Sequence, residues 1–224
     1  MTAFLSRAWA VCANDAAQEL RRRIAAGSVF FFAATCLALV AFAVGPFGVP
    51  EEARSRLHAA LLWILLFFSA ATGLPRAFVR EEESGTALAL RCLAPAPVIV
   101  AGKTMFNFLL SLAVVAVTMP SFALLMDWRV ASLPALLGLT VLASYGLAVV
   151  STFLSALVAR AGQRNVLFVL ISFPLLLPLL LPAIAGTVAA SEGSSTATAL
   201  RVLIAYDGAA TCGAYLLAAA AWED

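Results

Sequence analysis

Six long apolar runs dominate this 224-residue chain, at about 28–45, 57–74, 98–126, 130–158, 166–190 and 200–222. A helix needs roughly 20 apolar residues to cross a hydrocarbon layer of about 30 Å, and the runs are of that order or longer. With 63% hydrophobic and only 12% charged residues, a water-soluble fold of this size has no means of burying so much apolar surface. Inside hydrocarbon every backbone N–H and C=O must be bonded within the protein, and a helix does this within one segment. The runs therefore predict an all-α protein with six transmembrane helices over residues 28–224, preceded by a separate segment, 1–27.

Lys and Arg set the expected orientation, because cytoplasmic loops carry the positive excess. With the N-terminus inside, ten basic residues fall on the inner side (Arg7, Arg21, Arg22, Arg23, Arg76, Arg80, Arg91, Lys103, Arg160, Arg164) and four on the outer (Arg54, Arg56, Arg129, Arg201). Both termini are expected in the cytoplasm. The net charge of +2 gives no footing for nucleic acid.

Residues 1–27 do not read as a cleavable signal, since Asp15 and Glu19 interrupt them and no small-residue cleavage site follows the run 28–45. On a helical wheel Leu5, Trp9, Cys12, Ala16 and Leu20 share one face, opposite Arg7, Asn14, Gln18 and Arg21. That pattern suits an amphipathic helix lying in the inner membrane interface, with Arg21, Arg22 and Arg23 near anionic headgroups. A helix packed on a partner subunit has the same pattern.

Chemistry-bearing motifs are sparse. Cys12, Cys36, Cys92 and Cys212 are scattered, with no C-x-x-C spacing for zinc or haem attachment, and read as small apolar filler. His58, the single histidine, falls where an outer loop meets the second span. An axial haem ligand is one reading of it, and an interfacial polar residue the plainer one. A catalytic triad lacks its parts. The stretch "PVIVAGKT", residues 97–104, ends like a phosphate-binding loop, but Pro97 stands where the first glycine is needed and has no N–H to give. ATP binding by this chain is rejected.

The polar stretch "FVREEESGTALALRCLAPAPVIVAGK", residues 78–103, interrupts the apolar blocks. Pro75 can open a helical turn, Arg80, Glu81, Glu82 and Glu83 follow, and Gly85 permits a sharp change of direction. Residues 86–93 then suit a short helix with Leu90 and Leu93 on one side and Arg91 beside them, ended by Pro95 and Pro97. A short charged helix across the cytoplasmic face is a docking element; the alternative is a solvated charge run.

In "FPLLLPLLLPAIAG", residues 173–186, Pro174, Pro178 and Pro182 free the carbonyls of Leu170, Pro174 and Pro178. Unpaired carbonyls in hydrocarbon cost several kcal/mol each. A broken or re-entrant segment near the outer face is expected, with a proline-kinked helix as the competing form.

Together with "MPSFALL", "RNVLFVLISFPLLLPLLLPAIAG", "LRVLIAYD" and a terminal "WED", the run from Phe78 resembles the CcmB family, over nearly the whole chain. That resemblance implies a permease of the ABC-2 exporter type, the membrane subunit of the haem exporter ABC complex of cytochrome c maturation. It also implies partners: a cytoplasmic ABC ATPase, a haem-handling membrane subunit, a periplasmic haem chaperone, and room for a second permease copy. On this reading no cofactor is bound directly, ATP belongs to the partner subunit, and haem is the cargo. The setting implied is the bacterial inner membrane.

Carried over by position, the acidic-glycine turn is Glu82, Glu83 and Gly85, and the coupling element expected around it is Arg80, Glu81, Glu82, Glu83, Gly85, Leu90 and Arg91, within a connection spanning 75–97. The resemblance further assigns Lys103 as a boundary lysine and Asp207 as a periplasmic-side functional residue. Many family members have an acidic residue shortly after the glycine, where this chain has Leu88 and Ala89. Two other classes remain open: a general ABC-2 permease exporting a lipid, polysaccharide or drug, and a membrane haem-binding oxidoreductase, which needs paired axial ligands.

Overall fold

The computed structural model describes residues 2–22, 24–45, 50–73, 85, 94–158 and 164–222. Among these it is all-helical: α1 Thr2–Arg22, α2 Ile24–Ala43, α3 Glu51–Gly73, α4 Ala96–Leu125, α5 Leu133–Val158, α6 Arg164–Glu192 and α7 Ala197–Trp222. Four helices contain segments long and apolar enough to span a membrane, 53–71, 96–125, 133–158 and 170–192, while the apolar part of α2, 27–43, is shorter. α7 is long enough in residues, but Arg201 and Asp207 lie within it.

α5 is the central element. It packs against α4, α6 and α7, and small residues line it: Ala143, Ser144, Gly146, Ala148, Ser151, Thr152, Ser155 and Ala156 are all buried. Helices in lipid gain no hydrophobic drive from association, so close backbone approach and interhelical hydrogen bonds do the holding. Gly146 shows why the side chain must be small: a Cβ there would meet Leu179 Cδ1 of α6 at 2.6 Å and the carboxylate of Asp207 on α7. Asn107 of α4 donates to Thr152 Oγ1 at 2.8 Å, a buried bond between α4 and α5.

Outward-facing positions carry large apolar side chains, among them Phe31, Phe42, Leu124, Leu170, Leu181 and Leu216. With the core already filled by Leu62, Trp63, Phe122, Leu139, Leu179 and their neighbours, this apolar exterior is suited to lipid.

α6 departs from the sequence expectation. The segment holding Pro174, Pro178 and Pro182 is neither broken nor re-entrant: one helix runs through all three. Spaced four apart, the prolines lie on one face of the helix, where Pro174 and Pro178 are exposed and Pro182 half-buried. Their missing N–H groups therefore form one stripe, leaving the inward bonds and the packing of Leu176, Leu179, Leu180 and Ala183 intact. The Tyr206 hydroxyl of α7 donates to the Leu175 carbonyl at 2.6 Å and ties the proline stretch to its neighbour. Proline in membrane helices is tolerated where adjacent helices supply such support.

Candidate functional site

Of the expected coupling element, Arg80, Glu81, Glu82, Glu83, Leu90 and Arg91 lie outside the described residues, as does the short helix read at 86–93. Gly85 is described, and its φ is +70°, the left-handed region that disfavours side chains with a Cβ. Among the described residues, no atom beyond its chain neighbours lies within 4 Å of where that Cβ would stand, so the constraint seen there is on the backbone.

The connection delivers the chain into α4 through Pro95 and Pro97. Pro95 is the N-cap, extended at φ −67° and ψ 150°, and Pro97 falls in the first turn, where its missing N–H forfeits no helical bond. These prolines start α4. The stretch that ends like a phosphate-binding loop is likewise helix: Gly102 and Lys103 lie in its second turn.

Those two residues hold α1. A Cβ on Gly102 would stand 2.6 Å from both the Ala8 carbonyl oxygen and Val11 Cβ, so the two helices touch at that point. Ala8, Val98 and Ala101 form the adjoining apolar contact. One position further, Lys103 Nζ meets Asp15 Oδ2 at 3.2 Å, with the two side chains 0% and 3% exposed. Burying charge is expensive unless it is paired, and here the opposite charges come from different helices. α1 thus turns Ala8, Cys12, Asp15 and Glu19 toward the protein, while Leu5, Trp9 and Leu20 face outward.

The apolar face drawn on the helical wheel is therefore divided, because Cys12 belongs to the inner side. Burial, and then the charge of Asp15, push the Cys12 thiol above its usual pKa. Sequence reasoning noted Asp15 only as an obstacle to a signal peptide. The signal that could have exposed its role is an acidic pair four apart, Asp15 and Glu19, on a helix followed by a lysine inside an apolar run.

At the opposite end of the bundle, the C-terminal half of α6 is bonded to its surroundings. Trp63 Nε1 of α3 donates to Thr187 Oγ1 at 2.9 Å, and Trp128 Nε1 donates to Ser191 Oγ at 3.1 Å. Ser132 N donates to the Ala190 carbonyl at 3.0 Å, and Ser55 Oγ donates to the Glu192 carboxylate. His58 lies close by and is fully buried. Its ring meets Phe122 edge-on with centroids 5.8 Å apart, and neither nitrogen has a hydrogen-bond partner among the described residues.

Asp207 lies near the middle of α7, its carboxylate against Gly146 at the middle of α5, where Leu179 of α6 also approaches. It is 5% exposed, and neither carboxylate oxygen has a hydrogen-bond partner among the described residues. An ionisable group buried in an apolar bundle without a hydrogen-bond partner is costly to keep. Nearby, Tyr145 and Thr211 pair their hydroxyls at 3.1 Å between α5 and α7. Among the described residues no group of three or more His, Cys, Asp or Glu side chains is arranged to hold a metal ion.

Comparison with known proteins adds identity to this geometry. The family described as CcmB protein matches residues 6–223, from α1 through α7. The chain is similar to Heme exporter protein B of Paracoccus denitrificans (strain Pd 1222), with 30% identity over 211 residues, covering 91% of this chain and 94% of that protein. The match takes in the amphipathic α1, the connection into α4 and the proline-bearing α6 alike, and by it the chain belongs to the CcmB family.

Proposed function

We propose that this protein is the membrane permease subunit of an ABC transporter complex serving haem export in c-type cytochrome maturation. The observation that carries this reading is a family match spanning residues 6–223, joined to near full-length similarity to a protein named Heme exporter protein B. An all-helical bundle with an apolar exterior is the architecture such a subunit requires.

Within this reading α2 to α7 are six spans of the bacterial inner membrane, with both termini in the cytoplasm and α1 lying along the inner surface. The basic residues favour that orientation. ATP is hydrolysed by a separate cytoplasmic subunit, which docks on the connection between α3 and α4 through Arg80, Glu81, Glu82, Glu83, Leu90 and Arg91. Gly85 sets the turn that shapes this surface. Haem is the cargo of the complex, passed on with a haem-handling membrane subunit and a periplasmic chaperone. Asp207 is the interior residue assigned to function in this chain.

Deleting the gene tests the proposal. The expected result is loss of covalent c-type haem while b-type haem proteins persist, and normal c-type haem staining in the deletion strain rejects it. Replacing Glu81, Glu82 and Glu83 together by Lys tests the docking surface, since like charge set against a complementary surface is repulsive. Capture of the ATPase should fall while the level of this protein is unchanged.

A further inference from the structure

We propose that Asp15 is a positioning residue for energy coupling: its buried pair with Lys103 fastens α1 to the cytoplasmic end of α4, so that the two move as one body. The proposal rests on the reading above that the connection before α4 receives the ATPase.

Three observations carry it. The pair is desolvated on both sides, at 3.2 Å with 3% and 0% exposure, so sliding α1 along α4 would strand a charge in an apolar contact. The surfaces on either side leave no slack, because Gly102 lies against the Ala8 carbonyl and Val11, and Ala8 packs with Val98 and Ala101. Finally, Pro95 and Pro97 stiffen the point where the connection becomes α4, roughly two turns before Lys103. A displacement of the connection enters α4 at Pro95, reaches Lys103 within the same rigid helix and is passed to Asp15. α1 then carries it laterally through the outward-facing Leu5, Trp9 and Leu20, which are placed to sit in the membrane interface. Glu19, one turn beyond Asp15 on the same buried face, extends the contact.

The test has two arms in the assembled complex, in native membranes. In a cysteine-free chain, Ala8→Cys with Ala101→Cys is cross-linked across the α1–α4 contact. Because the helices are proposed to move together, c-type haem content should stay at the uncross-linked level. Loss of maturation on cross-linking, reversed by reductant, would show that α1 must leave α4 and would overturn the proposal.

In the second arm, Asp15→Asn and Lys103→Met each remove one charge of the pair, and Asp15→Leu combined with Lys103→Met removes both charges. The single variants should lose c-type haem roughly tenfold or more and expose Cys12 to a membrane-permeant maleimide. The apolar double variant, which fastens by packing, should recover both. A double variant no better than the singles, or singles indistinguishable from wild type, would overturn the proposal. If a single variant does not accumulate, the cross-linking arm decides, since it keeps both charges. Cys12 protection is read without any ATPase, so a wild-type chain that captures none would refute the functional reading while the fastening is still measured.

Discussion

Trp63 and Thr187 join α3 to α6 through a buried hydrogen bond of 2.9 Å, and the same Thr187 hydroxyl donates onward to the Ala183 carbonyl at 2.8 Å. The threonine thus serves as acceptor to one helix and donor within its own. Thr187→Val keeps the shape and leaves the indole N–H without a partner in an apolar interior, at about 1–3 kcal/mol. Trp63→Phe together with Thr187→Val should cost less than the sum of the two single changes. Thermal unfolding in detergent, arranged as a double-mutant cycle, reads the coupling.

Gly102→Ala should loosen α1 without touching a charge. The added Cβ would stand 2.6 Å from a backbone oxygen and from Val11 Cβ, and a backbone atom cannot swing aside. Overpacking of this kind costs about 1–3 kcal/mol. The expected signature is a lower melting temperature with Cys12 newly reactive, whereas Gly138→Ala, where no described neighbour outside its own helix backbone lies within 4 Å of the added Cβ, should neither lower the melting temperature nor expose Cys12.

Cys12 also supplies a pH test. Burial and the Asp15 charge raise its thiol pKa, and the thiolate is the reacting form. Alkylation of Cys12 should therefore begin at higher pH than alkylation of a cysteine placed at exposed Ser6, with the two curves separated along the pH axis. In the Asp15→Asn variant the Cys12 curve should move toward lower pH, since one of the two causes is gone and burial is relaxed. Coincident curves would show that Cys12 is not held in the contact.

Much of the helical layout was legible because apolar runs and helix lengths answer to the same membrane thickness. Two features were not. The prolines of α6 invited a broken segment because the carbonyls they free are visible in the sequence, while the support from Tyr206, 31 residues beyond Leu175, is not. The Asp15–Lys103 pair joins residues 88 positions apart. Neither has a local pattern that names the other, and only the expense of a lone charge in an apolar setting hints that a partner exists. Asp207 was singled out through resemblance, but its burial follows from its approach to Gly146 of α5.

Topology is open to direct measurement. Reporter fusions after Glu52 and Glu192 should read periplasmic, and those after Arg91 and Gln163 cytoplasmic, from the ten-to-four distribution of basic residues. The hydrogen bond between Ser55 and Glu192 places the first two fusion points at one end of the bundle, so they should agree with each other whichever way the protein is inserted. A periplasmic signal after Arg91 would reverse the orientation and move the docking surface to the wrong side for an ATPase.

Gly85 separates backbone from bulk. Its φ of +70° lies where a residue with a Cβ is strained, and among the described residues nothing beyond its chain neighbours crowds the position. Substitution there acts through conformation, not collision. A β-branched residue suffers most in the left-handed region, at about 1–2 kcal/mol, while asparagine enters it with little penalty. Gly85→Val should therefore weaken ATPase capture and c-type haem content, and Gly85→Asn, of comparable size, should retain most of both. Both variants leave the apolar spans unaltered, so protein level and membrane insertion should match the wild type. Capture of the ATPase at matched expression is the measurement: equal loss in Val and Asn variants would mean that the surface at residue 85 must be bare for the partner, and equal retention would mean that the turn does not shape the docking surface.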